Sequence, residues 1–170
     1  ELLFLFLFLH SMKEKALKFK DLLSQKKNIV ITTHRGPDGD AMGSSLALYN
    51  LLTNLGHDVT VITPNDYASF LHWMPGNDNV IENDGNEVLA TSITKKAELI
   101  IMLDFNSKNR LDSYSDTVFN LDTYKVLIDH HQDPDMEIAD LIFSDPDSCS
   151  TAQLLFEVLE SMGLKDNIDQ

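Results

Sequence analysis

Within seven residues, His34-Arg35-Gly36-Pro37-Asp38-Gly39-Asp40, the chain places one imidazole and two carboxylates. Two glycines and a proline exclude a regular helix there and predict a sharp loop. Two distant segments carry the same chemistry. Leu99-Ile100-Ile101-Met102-Leu103 ends in Asp104, and Lys125-Val126-Leu127-Ile128 ends in Asp129-His130-His131. Carboxylates brought together repel one another and partly protonate unless cations lie between them. Carboxylate oxygens with imidazole nitrogens and no thiolate suit Mn²⁺ or Mg²⁺, as a pair of ions. The expected ligands are His34, Asp38, Asp40, Asp104 and His130, with Asp104 bridging. Two such ions about 4 Å apart can activate a water and hold a phosphoryl oxygen together. His131 is expected to support the site or meet the substrate, and Asp129 to orient His130 through its ring N–H.

These residues can meet only if the elements before them run side by side. Ile29-Val30-Ile31-Thr32-Thr33 is a β-branched run leading into the first cluster. With the runs before Asp104 and Asp129, it reads as a buried parallel strand, and parallel strands bring their carboxyl ends to one edge. Asp58–Thr63, rich in Val, Ile and Thr, and Ile138–Phe143 complete a predicted five-stranded sheet. Helical patterns fill the gaps. Lys13–Lys27 carries Phe19, Leu22 and Leu23 on one face. Ala41–Leu55 carries Leu48, Leu51, Leu52 and Leu55 and stops at Gly56. Asp84 and Glu87 predict a capping box for a helix ending near Ala97, and Ser150 and Gln153 predict another for a helix ending at Gly163. Val118, Phe119 and Leu121 suggest a short helix. The alternation predicts an α/β fold, a mostly parallel sheet with helices on both faces. Pro64–Asn79, with Phe70, Leu71, Trp73 and Met74, reads as a surface loop pinned by its own apolar residues rather than as a lid. His57 and His72 lack acidic company and read as structural or exposed.

The 170 residues suit about one domain, and 43% of them are hydrophobic. Net charge is −14, which argues against a broad surface for long nucleic acid but not against a small anionic substrate held through metal ions. The single cysteine, Cys149, cannot form an internal disulfide, which suggests a reducing, cytoplasmic setting. No stretch is long enough to span a membrane. Leu2–Leu9 contains only Leu and Phe, is too short for a span and follows no basic residue. Glu1–Ser11 is therefore read as a non-native or disordered leader before Met12; the alternative is a segment docking on another subunit. The oligomeric state stays open, a homo-oligomer included.

His34-x3-Asp38-Gly-Asp40-Ala41-x-Gly43-Ser44 and Asp129-His130-His131 resemble the first and third motifs of the DHH family of phosphoesterases, and Asp104 its second. The resemblance runs from about Met12 to the chain end. Phe70-Leu71-x-Trp73-Met74-Pro75-Gly76 and Ser150-Thr151-Ala152-Gln153-Leu154 resemble the nanoRNase branch. This resemblance implies a DHH catalytic domain over 12–170, Mn²⁺ as the usual metal, and short oligoribonucleotides or 3′-phosphoadenosine 5′-phosphate (pAp) as substrates. It implies catalytic roles for His131, Asp129 and Asp104, and substrate contacts from Arg35, Ser150 and Thr151. It also implies a fourth-motif aspartate and a second, substrate-gripping domain, neither of which this chain contains. The chain thus reads as an N-terminal piece. Two other readings stand beside this one: a relative acting on pyrophosphate, polyphosphate or a linear dinucleotide, and a metal- or nucleotide-binding module without turnover.

Overall fold

A computed structural model describes the backbone of residues 2–167 and the side chains of residues 12–167. Six strands form one parallel sheet: β1 (Asn28–Thr33), β2 (Asp58–Thr63), β3 (Ile81–Glu82), β4 (Leu99–Leu103), β5 (Lys125–Asp129) and β6 (Leu141–Ser144). Their spatial order is β3-β2-β1-β4-β5-β6. The chain therefore steps outward from β1 to β3, returns to the middle, and steps outward the other way. β1 and β4 flank the point where the direction reverses, and a crevice opens at their carboxyl ends. The register aligns those ends, with Thr33 opposite Leu103 and Leu103 opposite Ile128.

The parallel α/β fold is as expected, but the sheet has six strands rather than five. The additional strand, β3, is two residues long and pairs with β2 through Ile62 and Ile81. A run that short has no periodicity to read. The last strand begins at Leu141, not Ile138; Ile138 is buried ahead of it.

Among the described residues, five α-helices cover the sheet: α1 (Leu2–Leu22), α2 (Gly39–Asn54), α3 (Glu87–Thr94), α4 (Ser115–Phe119) and α5 (Thr151–Ser161). One apolar layer joins Phe19, Leu48, Leu52, Leu155 and Val158 to Ile29, Ile31, Ile101 and Phe143 of the sheet. The other joins Val30, Ile100, Met102 and Leu127 to Ala90, Leu111, Tyr114 and Val118. Alternate strand residues thus feed opposite faces, as the two-residue strand period requires. β4 and β5 are buried along their whole length, which explains their continuous apolar runs.

Helix α1 ends at Leu22, short of the expected Lys27. The leader assigned to Glu1–Ser11 falls on residues whose side chains lie outside the described residues. The capping box expected at Asp84 and Glu87 does not form. The N-cap of α3 is Asn86, the Glu87 carboxylate accepts from the Gly85 N–H at 3.1 Å, and Asp84 accepts from the Ser113 hydroxyl. At α5 the serine half of the expected capping box forms, with Ser150 Oγ accepting from the Gln153 N–H at 3.0 Å, while Gln153 Oε1 accepts from the Cys149 N–H rather than from that of Ser150. Gly163 follows that helix at φ +73°, the left-handed geometry of a helix stop. The Pro64–Asn79 segment is held by buried Tyr67 and Leu71, and the Tyr67 hydroxyl donates to Asn77 at 2.7 Å.

Candidate metal centre

His34 follows β1 directly, and burial leaves it 5% exposed. Its Nδ1 donates to the Arg35 carbonyl at 2.8 Å, which leaves Nε2 as the lone-pair nitrogen. Nε2 faces Asp104 Oδ2 at 3.6 Å. Asp38 caps α2: its Oδ1 accepts from the Asp40 and Ala41 N–H groups at 2.9 and 3.1 Å. The ligand atoms of His34, Asp38 and Asp104 all lie within 4.8 Å of one another.

Asp104 ends β4 in the left-handed region, φ +67°, a conformation that aspartate tolerates better than most residues. Its carboxylate lies between the other clusters. Oδ1 accepts from the Thr151 hydroxyl at 2.8 Å and stands 3.7 Å from His130 Nε2. His130 Nδ1 donates to the Ser148 carbonyl at 3.2 Å, so its Nε2 is also the free nitrogen, 3.7 Å from Asp40 Oδ2. Asp40 lies across the N-terminus of α5, accepting from the Thr151 N–H at 2.8 Å and the Ala152 N–H at 2.9 Å.

Asp129 differs from expectation. It holds His131, not His130: His131 Nδ1 lies 2.7 Å from Asp129 Oδ1. Successive side chains leaving a strand point to opposite sides, so Asp129 reaches the second residue along. Asp129 is fully buried, and its Oδ2 has no partner among the described residues. With Nδ1 committed, His131 presents Nε2.

The donor set fits divalent cations. The imidazole–carboxylate separations of 3.6–3.7 Å at His34 and His130 exceed hydrogen-bond length, as befits groups facing a shared centre. Both histidines are fixed by backbone carbonyls through the opposite nitrogen, the usual support for metal-binding imidazoles. His34, Asp38 and Asp104 would hold one ion; Asp104, His130 and His131 form a second group of ligand atoms within the same distance, and Asp40 Oδ2 stands beside it, 3.7 Å from His130 Nε2.

Burial opposes protonation of His34, but its contacts with Asp104 and the Arg35 carbonyl outweigh burial and the opposing Arg110 charge, so its pKa is raised. Burial alone would raise the Asp104 carboxyl; Thr151 and the neighbouring His34 and His131 rings outweigh it, so its pKa is lowered. Both shifts describe the metal-free chain.

The expected substrate contacts are otherwise engaged. Thr151 is buried and bonded to Asp104, and Ser150 caps α5. Arg35 Nη1 lies 3.0 Å from Asp112 Oδ2. His57 is buried, with Nδ1 accepting from the Lys27 N–H at 3.3 Å, and His72 packs edge-on against Tyr67. Two elements of the site had no signal in the sequence: the Ser148 carbonyl and the Thr151 and Ala152 N–H groups are backbone atoms, carried by any residue. Arg110 had one, as one of only two arginines in the chain.

A parallel sheet whose strand order reverses between β1 and β4, with a carboxylate–imidazole cluster at that edge, defines a doubly wound α/β protein with a candidate cation centre. The family model for the DHH family, N-terminal domain, matches residues 28–170, and the chain belongs to that family. It resembles the bifunctional oligoribonuclease and PAP phosphatase NrnA of Thermus thermophilus, 29% identical over 137 residues, which cover 81% of this chain and 38% of the relative. It also resembles the cyclic-di-AMP phosphodiesterase GdpP of Bacillus subtilis, 25% identical over 148 residues, covering 83% of this chain and 22% of that protein. Among solved structures, an exopolyphosphatase-related protein from Bacteroides fragilis superposes with a TM-score of 0.89 at 36% identity, over 92% of this chain and 46% of that one. RecJ from Thermus thermophilus, solved with Mn²⁺, shares the fold at a TM-score of 0.56 and 16% identity, over 93% of this chain and 21% of RecJ. The chain thus spans less than half the length of each of these relatives.

Proposed function

We propose that this chain is the metal-binding domain of a phosphoesterase that hydrolyses short oligoribonucleotides, pAp, or both. The observation that carries the reading is Asp104, whose carboxylate belongs to both candidate ligand groups at the strand edge. Its support is the family membership and the activities for which the NrnA relatives are named. Mn²⁺ is the proposed metal, with Mg²⁺ as the alternative, since the donors are oxygens and imidazoles. When bound, two such ions would supply an activated water and neutralise charge on the phosphoryl group.

The chain's own residues then have distinct parts. His34, Asp38, Asp40, Asp104 and His130 would hold the ions. Asp129 fixes His131 so that Nε2 faces outward to donate to the phosphoryl or departing oxygen. Thr151 and Ser150 act as positioning residues, the first on Asp104 and the second on the helix that receives Asp40. Arg35 reaches substrate only on leaving Asp112. The proposed setting is cytoplasmic, with no long nucleic acid and no membrane as partner. No described helix is long and apolar enough to cross a membrane.

A second reading, a phosphohydrolase acting on polyphosphate, pyrophosphate or a linear dinucleotide, is favoured by the likeness to the exopolyphosphatase-related protein and to GdpP. Phosphate release from pAp with Mn²⁺, beside the Asp104→Ala variant, tests the first reading. Release that vanishes in the variant is expected. Faster release from polyphosphate or pyrophosphate than from pAp would select the second. Tight Mn²⁺ binding without hydrolysis of any of them would leave this chain a binding module.

A further inference from the structure

The chain has 13 basic residues against 27 acidic ones, and only two of the 13 are arginines. Both sit beside the candidate metal centre. Arg35 follows His34, and its N–H donates to the Arg110 carbonyl at 2.7 Å. Arg110 lies on the 3₁₀ segment Lys108–Tyr114 that follows Asp104. That segment is a firm platform: Leu111 and Tyr114 are fully buried in the core, and the Tyr114 hydroxyl bonds to Thr94.

The two guanidinium groups are in different situations. Asp112 takes Arg35 at 3.0 Å and does so from a backbone conformation of φ 48°, ψ −127°, strained for any residue but glycine. Lys108, on the same segment, lies over the Phe119 ring at 5.2 Å. Arg110 is exposed, and its side chain makes no hydrogen bond or ion pair among the described residues. It is an exposed guanidinium beside the site: the Arg110 carbonyl takes the N–H of Arg35, the residue after His34, and its charge reaches His34. A planar fork of N–H donors matches phosphate oxygens in pairs.

We propose that Arg110 binds a second phosphate of the substrate, next to the phosphate that undergoes hydrolysis. The ligand class is a nucleotide with two separate phosphate groups, or an internucleotide phosphate of a short oligonucleotide. With the scissile group at the carboxylate–imidazole cluster, where the metal ions would be held, Arg110 distinguishes a doubly phosphorylated nucleotide from a singly phosphorylated one. The proposal rests on the phosphoesterase reading for the orientation of the substrate, but its test needs no turnover.

The probes are adenosine carrying a 3′-phosphonomethyl group, with and without a 5′-phosphate, whose carbon–phosphorus bond resists hydrolysis. Binding of each to the Mn²⁺-loaded chain is measured by calorimetry for wild type, Arg110→Ala, Arg110→Lys and Lys96→Ala. Lys96 is exposed ahead of the amino end of β4, so its removal controls for the loss of one charge. Wild type should prefer the 5′-phosphorylated probe. Arg110→Ala should weaken that probe roughly 10- to 100-fold, as loss of charged hydrogen bonds implies, and change the other less than about twofold. Arg110→Lys should fall between, and Lys96→Ala should resemble wild type. A wild-type chain that holds the two probes equally, or neither, overturns the proposal. So does an equal loss on both probes in Arg110→Ala, or a matching loss in Lys96→Ala. Failure of the phosphoesterase reading would appear separately, as absence of phosphate release from pAp with the binding contrast intact.

Discussion

Thr151 carries no charge, yet it holds the one carboxylate common to both candidate ligand groups. Thr151→Val keeps the shape and removes the donor. Mn²⁺ affinity measured by calorimetry should fall roughly 10- to 100-fold, the usual effect of losing a group that orients a ligand. Asp129→Asn should behave differently. It disturbs the partner of His131 Nδ1 and not a proposed ligand, so turnover should drop while Mn²⁺ affinity holds; an equal fall in both would place His131 among the ligands. The protonation of His34 and Asp104 sets a pH window for the metal-free chain. The His34 pKa is raised above its ordinary 6.5, so its contribution to stability is complete below that value and disappears as pH rises through the raised one. The Asp104 pKa is lowered below its ordinary 3.8, so its contribution is present above that value and is lost as pH falls through the lowered one. Thermal unfolding of the metal-free chain should show both arms, and His34→Gln should remove the upper one. Because an ion competes with the proton on His34, Mn²⁺ affinity should weaken as pH drops below the raised value.

At the scale of elements, α2 begins in the site. Asp38 is at once its N-cap and a proposed ligand, and one substitution can part the two roles. Serine caps a helix about as well as aspartate, whereas alanine costs about 1 kcal/mol. Asp38→Ser should therefore keep the melting temperature of the metal-free chain and lose Mn²⁺ affinity, while Asp38→Ala should lose both. Further along, α2 meets the Pro64–Asn79 segment at Gly76, whose φ is +93°. A Cβ there would stand 2.8 Å from Tyr49 Cδ1, and the Asn50 side-chain amide donates to the Pro75 carbonyl beside it at 2.9 Å. Gly76→Ala is thus opposed by its backbone and by its neighbour, and should cost roughly 1–3 kcal/mol in chemical denaturation. The same segment exposes Phe70 and Trp73 while burying Tyr67 and Leu71, so its stability comes from its own anchors.

Across the whole molecule, the ions would join β1, β4, β5 and the start of α2, the four places where the ligands are rooted. A metal bound only by the folded chain stabilises it in proportion to the logarithm of its concentration. At a hundredfold excess over Kd the gain is about 2.7 kcal/mol, roughly 5–10 °C for a chain of this size. Asp104→Ala should abolish that shift, and an undiminished shift would place the ion elsewhere. The sheet itself should be insensitive to metal. Its order is fixed by two apolar layers and by the right-handed crossovers that parallel neighbours require.

The parallel α/β class, the strands at Asn28–Thr33, Asp58–Thr63 and Leu99–Leu103, and the cap at Ser150 were legible in the sequence because each is encoded locally. β-branched runs, glycine stops and capping residues act over a few positions, whatever the rest of the chain does. The residue types at the candidate centre were legible for the same reason. What only the tertiary structure decided is which groups face one another. The reversal between β1 and β4 sets Asp104 between His34 and His130. The N-terminus of α5 arrives more than a hundred residues after Asp40 to bond its carboxylate. Strand alternation, not sequence adjacency, gave Asp129 to His131. β3 was hidden because two residues acquire strand geometry only from the neighbour they pair with. Local signals specify elements; the packing of two faces against one sheet specifies the edge at which their ends converge.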